Sequence, residues 1–318
     1  IANQQEDDLE HLPNSLSKYE QFFIPLRPYN VTGLDKLRIL LDTVQPELPE
    51  IDSEMREYPE LSTVIDNFVK TGKKIIFTMG KGGVGKTTTV FNLSWYFAKK
   101  GLKVLAIDTD AQINLTLGFG ANNYKDYPTL GDYLLKRITD FKPIEIEENL
   151  HLITGTDNTE DDMLQLKNKD SAYYKALDRF LSKLEDKYDA VLIDTAPGFN
   201  AYTTSAIFTS SVYVVLVPGG FELLGLRSTI DFIRNLTDRD LKGIILIKKE
   251  HDDLSKDTEK FLETEYGEYL LKTIIRKNVD LSKCVLQNKC IFDYRKNSHG
   301  AKDYTKIAEE ILEREGLI

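Results

Sequence analysis

Long hydrophobic runs are absent from the sequence and cysteine is scarce, which removes two classes of protein from consideration. No apolar stretch approaches the roughly 20 residues that a membrane-spanning helix needs, and the acidic, polar start IANQQEDDLE is unlike a signal peptide. Cys284 and Cys290 are the two cysteines in 318 residues. They exclude a disulfide framework for most of the chain, fit a cytoplasmic location, and are expected to be core or surface thiols.

Positive charge is also in deficit, with 41 lysines and arginines against 51 acidic residues and a net charge of −10. The negative charge is unevenly distributed along the chain, because residues 1–70 alone carry a net charge of −8. We interpret residues 1–72 as an acidic, helical N-terminal extension and residues 73–318 as the main domain, which is close to neutral. The low overall charge therefore does not argue against contact between the main domain and nucleic acid.

Short apolar runs alternate with amphipathic ones from residue 73 onward. The predicted strands are 74–79, 103–108, 189–194, 211–218, 243–248 and 269–275, and the predicted helices are 87–101, 171–188, 224–237, 254–267 and 300–316. This alternation predicts an α/β fold with a mostly parallel, twisted sheet and helices on both faces. In such folds, ligands bind beyond the carboxyl ends of the strands.

The segment GKGGVGKT, residues 80–87, matches the phosphate-binding pattern G-x-x-x-x-G-K-[ST] between a predicted strand and a predicted helix. Its glycines let the backbone wrap a phosphate group with several N–H groups pointing inward. Lys86 would neutralise phosphate charge, and the Thr87 hydroxyl would bind Mg²⁺. The predicted nucleotide-binding residues are Gly80, Lys81, Gly82, Gly83, Val84, Gly85, Lys86, Thr87 and Thr88. The pattern thus predicts a P-loop NTPase.

Two further predicted strands end in acidic residues. The segment AIDTDAQINLT (106–116) contains Asp108 and Asp110, and VLIDTAPGFN (191–200) contains Asp194. A carboxylate after four apolar residues is typical of the Mg²⁺-linked aspartate of P-loop proteins. We therefore interpret both segments as nucleotide-dependent switches.

The P-loop contains a second lysine, Lys81, and the box KGGVGKTT resembles the deviant Walker A box of the ParA/MinD family of ATPases. Four more segments resemble the ParA/Soj branch, the partition ATPases. They are DTDAQINLT (108–116), with Ala111 at a usual proline, DTAPG (194–198), with Ala196 at another, VPGGFELLGLRST (217–229), which is similar to the adenine-side loop and the following helix, and TIIRKNVDLSKCVLQNKCIFDYRKNSHGAKDY (273–304). The resemblance covers about residues 73–318, with its motifs in the family's order.

This resemblance implies an ATPase that uses ATP and Mg²⁺ and forms a homodimer when ATP is bound. Lys81 would reach across the dimer to the phosphates of the other subunit, so that each nucleotide is held by both subunits. Lys86 would bind phosphate, Asp110 would position the attacking water, and Asp194 would hold Mg²⁺ through water. Pro218 would flank the adenine. The implied catalytic residues are Lys81, Lys86 and Asp110, and the implied metal-site residues are Thr87, Asp110 and Asp194.

The resemblance also implies a role in plasmid or chromosome partition, in which the ATP dimer binds DNA non-specifically and a ParB-like protein stimulates hydrolysis. Such a protein would associate with the nucleoid. Phosphate contacts supply most non-specific affinity for DNA, so basic residues on one face are needed. The candidates are two pairs at predicted strand ends, Lys248 with Lys249 and Arg276 with Lys277. Acidic residues lie among them.

Other hypotheses remain beside partition. A MinD-like protein would place a basic amphipathic helix on a membrane, but the tail DYTKIAEEILEREGLI is acidic, and its apolar stripe suits packing on the sheet. We therefore expect no membrane partner. A small-molecule ligase or kinase is compatible with the P-loop. An iron–sulfur or zinc site is disfavoured, because the two cysteines lie far from both switches and no second Cys/His pair has suitable spacing.

Overall fold

The computed structural model describes residues 74–156, 158–184, 186–237 and 241–318. Its strands are β1 (Lys74–Met79), β2 (Val104–Asp108), β3 (Ile144–Glu147), β4 (Leu150–Ile153), β5 (Ala190–Asp194), β6 (Ser211–Leu216), β7 (Gly243–Lys249) and β8 (Ile275–Arg276). The predicted extension, 1–72, lies outside the described residues and stays a prediction.

Helices of very different length connect these strands. They are α1 (Lys86–Lys99), α2 (Asn114–Gly118), α3 (Leu130–Leu134), α4 (Thr159–Lys169), α5 (Ala176–Leu181), α6 (Ala201–Thr209), α7 (Gly220–Leu236), α8 (Asp253–Tyr266), α9 (Val279–Leu286), α10 (Ile291–Tyr294) and α11 (His299–Glu315). Short 3₁₀ turns lie at Tyr124–Asp126, Tyr173–Lys175 and Ser182–Leu184.

The strands of the described chain form one sheet in the order β3-β4-β2-β5-β1-β6-β7-β8. Every neighbouring pair is parallel except β3 and β4, which are antiparallel at one edge. The predicted α/β class and the mostly parallel sheet are therefore confirmed.

Successive residues of each central strand belong to two separate cores, one on each face of the sheet. On β2, Val104 and Ala106 pack in the core that contains residues of α1 and α11, whereas Leu105 and Ile107 pack in the core with α6 and α7. A strand that is covered on both faces needs apolar side chains at every position. This explains the continuous apolar runs in the sequence and confirms helices on both faces.

Three central strands bring the site segments together at one edge of the sheet. Asp108 at the end of β2 is in register with Asp194 at the end of β5, and β5 also pairs with β1. Because the strands are parallel, the loop after β1 emerges beside both carboxylates. The edge is where a doubly wound sheet binds its ligand.

Some predicted elements differ in the structure. The β3–β4 hairpin was not predicted, because its edge strand IEIE is short and alternates with exposed acidic residues. The predicted helix 171–188 is broken into short turns, since the Ser205 hydroxyl accepts from Leu177 N–H and donates to the Tyr174 carbonyl. These bonds tie the segment to α6 instead of continuing one helix.

The predicted strand 269–275 is mostly irregular, and only its last residue belongs to a strand, β8. Leu271 N–H still donates to the Ile244 carbonyl of β7. The next two backbone N–H groups, of Lys272 and Thr273, donate instead to the Glu310 carboxylate on α11. A side chain thus takes the donors that a longer strand would have used in the sheet.

Candidate functional site

The loop between β1 and α1 is built so that glycine is required at two positions. Gly80 has φ +147°, and a Cβ there would lie 2.4 Å from the Val215 carbonyl oxygen on β6. Gly85 has φ +111°, and its Cβ would lie 2.7 Å from Cδ1 of Ile247 on β7. Both backbone conformations are ones that side-chain-bearing residues rarely adopt. Residues of the neighbouring strands therefore lie so close to the loop that its backbone has to fold tightly. Tight turns of this kind, with several N–H groups pointing inward, bind phosphate.

Lys86, the first residue of α1, is buried and lies over this loop. Its Nζ donates to the carbonyl oxygens of Gly80 at 3.0 Å and Lys81 at 3.1 Å. Burial lowers its pKa, while the negative charges of Asp194 and Asp110 act in the opposite direction. Both acceptors are neutral carbonyl oxygens, so these hydrogen bonds do not offset the positive charge of the ammonium group. That charge is then available to bind phosphate.

Asp194 is fully buried at the end of β5, and neither of its oxygens meets the geometry of a hydrogen bond to a described residue. Burial, and next the charge of Asp108, raise its pKa to about 8 against the opposing influence of the Thr87 hydroxyl and the Lys86 ammonium. A buried carboxylate without a donor is costly unless a cation neutralises it. The hard oxygens of Asp194 and Thr87 fit Mg²⁺, which prefers such ligands together with water.

Asp108 and Asp110 have different surroundings although they lie two residues apart. Asp108 is buried, and its carboxylate accepts from Thr116 N–H (2.9 Å), the Thr116 hydroxyl (2.8 Å) and Asp110 N–H (3.1 Å). Burial still raises its pKa to about 6. Asp110 is partly exposed and accepts only a local hydrogen bond from Gln112 N–H among the described contacts. Asp108 thus fixes the turn that presents Asp110.

A cleft of about 760 Å³ runs along this edge of the sheet. Lys86, Thr87, Thr88 and Asp110 line it, and Lys248 closes one side. A second cavity of about 320 Å³ adjoins it and shares Gly85, Thr88, Lys248 and Ser282 with it. The structure therefore brings Lys86, Thr87 and Asp110 to one cleft, with room for a larger ligand beside them. Asp194 is buried and does not line the cleft, but the next residue, Thr195, does.

Five of the predicted nucleotide-site and metal-site residues do not line this cleft: Gly80, Lys81, Val84, Asp194 and Pro218. Pro218 is in the loop between β6 and α7 and is not among the described residues that line either cavity. Lys81 is exposed and lines a different cavity of about 240 Å³, together with Phe199 and Phe221. Its Nζ lies 3.3 Å from Oε1 of Glu222. Lys81 therefore faces away from the cleft of its own subunit.

The four predicted DNA-contacting residues do meet at one edge, where β7 and β8 end. Lys249 is in register with Arg276, and Lys277 N–H donates to the Lys249 carbonyl. Lys248 has φ +58°, and its Nζ donates to the Gly83 carbonyl of the P-loop at 2.7 Å. Lys248 is thus part of the wall of the phosphate loop.

The other three basic side chains are each paired with a carboxylate. Lys249 pairs with Glu259, and Lys277 lies 2.7 Å from Glu250. Arg276 donates from Nε (3.0 Å) and Nη2 (2.6 Å) to the buried Asp303. These contacts reduce the net positive charge that this edge presents.

Other features bear on the alternative hypotheses. Cys284 and Cys290 are both buried in the core, and burial raises their pKa values to about 11 and about 12. The described residues contain no cluster of three or more His, Cys, Asp or Glu side chains arranged for a metal ion. None of the described helices has both the length and the apolar composition to span a membrane.

The sequence analysis did not single out Glu222 or assign Lys248 to the P-loop. Both contacts join residues far apart in the chain, 141 and 165 positions respectively. No local spacing signals such a contact. The role of Asp108 in the switch turn has a partial signal, since Thr116 closes the same quoted motif.

Comparisons with known proteins match most of the chain. Residues 72–247 match a family described as an AAA domain. The chain is 30% identical to the chromosome-partitioning ATPase Soj of Treponema pallidum over 255 residues, which are 77% of this chain and 99% of that protein. It is also 30% identical to the sporulation initiation inhibitor protein Soj of Bacillus subtilis, over 76% of this chain and 98% of that one.

A solved structure adds a bound nucleotide analogue. A chain described as a plasmid partition protein of Borrelia burgdorferi B31, bound to AMPPNP, superposes with a TM-score of 0.66 at 26% identity. The match covers 76% of this chain and 99% of that one. The structural similarity therefore extends over about three quarters of this chain and nearly all of that one.

Proposed function

The chain belongs to the ParA/Soj family of partition ATPases, and on this premise we propose that it is an ATP-dependent dimerising switch that acts in DNA partition. The observation that carries the proposal is the division of the two P-loop lysines. Lys86 is buried over its own cleft, while Lys81 is exposed and faces away from it. Two copies that face each other would supply the second cation to each nucleotide.

The cleft would hold ATP through the P-loop and Lys86, with Mg²⁺ between Thr87 and, through water, Asp194. Bound Mg²⁺ supplies positive charge that offsets the phosphate charge and that of the buried carboxylate. The P-loop N–H groups at the start of α1 orient the phosphates, and the helix dipole favours their charge. Asp110 positions the attacking water. We keep Pro218 as a predicted adenine neighbour.

Lys81 would act in trans. A cation delivered to the transferring phosphoryl group stabilises its charge, as an arginine finger does. The ATP state can favour the dimer only if the dimer makes contacts that ADP lacks, and Lys81 bound to the terminal phosphate is such a contact. Hydrolysis would then release the two subunits.

The proposed DNA-binding surface is the end of β7 and β8. Lys249, Arg276 and Lys277 lie together there, and a dimer presents the set twice. Their carboxylate partners predict weak, salt-sensitive binding, because the net charge of each pair is small. A ParB-like partner that stimulates hydrolysis belongs to the same proposal.

The MinD-like alternative receives no support from the C-terminal helix. Ile307, Ile311 and Leu312 of α11 are fully buried in the core under α1. A helix that packs its apolar stripe on the sheet has no such stripe for a lipid surface.

The proposal is tested by the anisotropy of a labelled non-specific duplex DNA, titrated with protein in ADP and in the slowly hydrolysed AMPPNP. We expect binding only with AMPPNP, and about tenfold weaker binding when Lys249→Ala and Lys277→Ala are combined. Lys167→Ala, on the exposed side of α4, is the matched control and should bind like the wild type. Equal binding with ADP and AMPPNP, or no binding with either, would contradict the proposal.

A further inference from the structure

The Lys81 ammonium is held on its own subunit by Glu222. Nζ and Oε1 lie 3.3 Å apart, and the two side chains are 64% and 19% exposed. The pair bridges the P-loop and α7, and both residues line the 240 Å³ cavity. Lys81 cannot keep this contact and also reach a phosphate on another subunit.

Glu222 is itself fixed by its place in the first turn of α7. The helix begins after Gly219, whose φ is +158°, and a Cβ on Gly219 would lie 2.1 Å from Oε2 of Glu222. The carboxylate therefore lies close to the backbone at the helix N-terminus, where the helix dipole favours a negative charge. The helix dipole still stabilises the Glu222 carboxylate when Lys81 leaves. The ion pair can therefore open without leaving the negative charge of Glu222 uncompensated.

The rim of this cavity has the character of a contact surface. Phe221 and Phe199 line the cavity and are 79% and 48% exposed. Leu224, three residues after Phe221 on α7, is 65% exposed. Exposed apolar side chains grouped around a charged pair are typical of a surface that is covered in one functional state. Because Lys81 lines the same cavity, a second copy of this chain whose nucleotide faces Lys81 would cover it.

We propose that Glu222 is a positioning residue that retains Lys81 on its own subunit until the nucleotide of a second subunit competes for it. The inference rests on the proposed function, since it needs Lys81 to act in trans. ATP offers more negative charge than ADP at the position that Lys81 reaches, so ATP opens the pair more readily. The ion pair thereby weakens dimerisation by the same factor with either nucleotide, which keeps the weaker ADP dimer below the concentrations at which it would form.

Loss of the Lys81–Glu222 ion pair should change the dimerisation constant only slightly for one subunit, and more for a dimer in which two pairs open. An exposed ion pair changes an equilibrium constant by about two- to fivefold. A symmetric dimer opens the pair twice, so the effect is squared. Glu222→Gln should therefore lower the dimer dissociation constant in AMPPNP by about four- to 25-fold.

The test is sedimentation equilibrium in AMPPNP and in ADP of the full chain with five sequences. They are the wild type, Glu222→Gln, Lys81→Ala, the double variant, and Asp231→Asn, which removes one exposed charge from the same helix. We expect Glu222→Gln to tighten the AMPPNP dimer, the double variant to match Lys81→Ala, and Asp231→Asn to match the wild type. Gln at position 222 should also make some dimer detectable in ADP.

Two results would overturn the inference. An unchanged or weaker dimer in Glu222→Gln would show that Glu222 does not restrain Lys81. Tightening that persists without Lys81, or that Asp231→Asn reproduces, would show a general loss of charge repulsion. If the wild type stays monomeric in AMPPNP, the proposed function fails separately. The Glu222→Gln variant still tests the inference in that case. If this variant forms a dimer in AMPPNP while the wild type does not, Glu222 restrains Lys81; if the variant is also a monomer, the inference is wrong.

Discussion

Single residues of the same type serve different purposes at this site. Asp108 and Asp194 both follow four apolar residues and both end a strand, but Asp108 accepts three hydrogen bonds from the switch turn. Asp194 accepts none from the described residues. Thr116 makes the difference, since it supplies two of the donors to Asp108. The charge of Asp194 is therefore left for a cation, and that of Asp108 is used to hold the protein's own backbone.

Asp194→Asn tests the metal assignment. The variant removes the charge that Mg²⁺ neutralises, so ATP should no longer stabilise the protein more with Mg²⁺ than without it. Wild-type stabilisation is about 2.7 kcal/mol at a hundredfold excess of ligand over its dissociation constant. Thermal unfolding in ATP, with Mg²⁺ and with a chelator, measures the difference. An undiminished Mg²⁺ effect in the variant would refute the role of Asp194.

Asp110→Ala tests the hydrolytic role. Asp110 has few contacts with the fold, so the variant should stay stable and bind ATP normally while its kcat falls by about 100-fold. Turnover and ATP affinity are measured together. Asp108→Ala is the contrast, because it loses three hydrogen bonds and should lower the free energy of unfolding by about 3 kcal/mol. Normal turnover in Asp110→Ala would remove this residue from the mechanism.

At the scale of elements, the P-loop depends on the strands beside it as much as on its own sequence. β6 and β7 approach the loop so closely that Gly80 and Gly85 each lack space for a Cβ. The loop shape is thus set by packing in addition to local conformational preference. Replacement of a P-loop glycine should therefore cost more than the backbone strain alone.

The variants Gly85→Ala and Gly101→Ala separate the cost of backbone strain from the cost of the steric contact with a neighbouring strand. Both glycines have positive φ, but a Cβ at Gly101 meets nothing within 4 Å, whereas one at Gly85 meets Ile247. We expect Gly101→Ala to cost about 1–2 kcal/mol of unfolding free energy from strain and Gly85→Ala about 1–3 kcal/mol more. Adding Ile247→Val, which removes the contacting Cδ1, should recover part of that excess. Chemical denaturation measures all three, and equal costs at the two glycines would contradict the packing argument.

The C-terminal helix α11 gives a second test at this scale. Ile311 is fully buried against the sheet, so Ile311→Ala should lower the free energy of unfolding by about 2–5 kcal/mol. If α11 were instead a membrane-binding element, the substitution would leave stability unchanged and reduce sedimentation with anionic vesicles. Denaturation and vesicle sedimentation of the same variant distinguish the two.

The sequence predicts those parts of the site that depend on local spacing. The glycine-rich loop after β1 and the strands that end in Asp108 and Asp194 are short-range patterns, and each strand lies within one residue of its predicted bounds. The roles of the loop and of the two aspartates stay predictions. The β3–β4 hairpin and the irregular path of 269–275 were missed, because an edge register and the Glu310 carboxylate decide them. The Lys81–Glu222 pair depends on how the P-loop meets α7, which no local pattern encodes.

On the scale of the whole molecule, the proposed dimer joins two copies of the chain through their nucleotides. One subunit has the groups that we propose to bind ATP and Mg²⁺, but its Lys81 contacts Glu222 and lines a different cavity from the cleft. The protein as a whole is acidic, with a net charge of −10, so two copies repel at long range. A specific attraction between Lys81 and the facing nucleotide has to outweigh that repulsion.

The most direct test is light scattering of the purified chain with ADP and with AMPPNP, repeated with Lys81→Ala. We expect a monomer in ADP, a doubling of mass in AMPPNP, and a monomer in both for Lys81→Ala, although that variant still binds the nucleotide. A mass that does not depend on the nucleotide, or a Lys81→Ala variant that dimerises like the wild type, would contradict the role of Lys81 in joining two subunits.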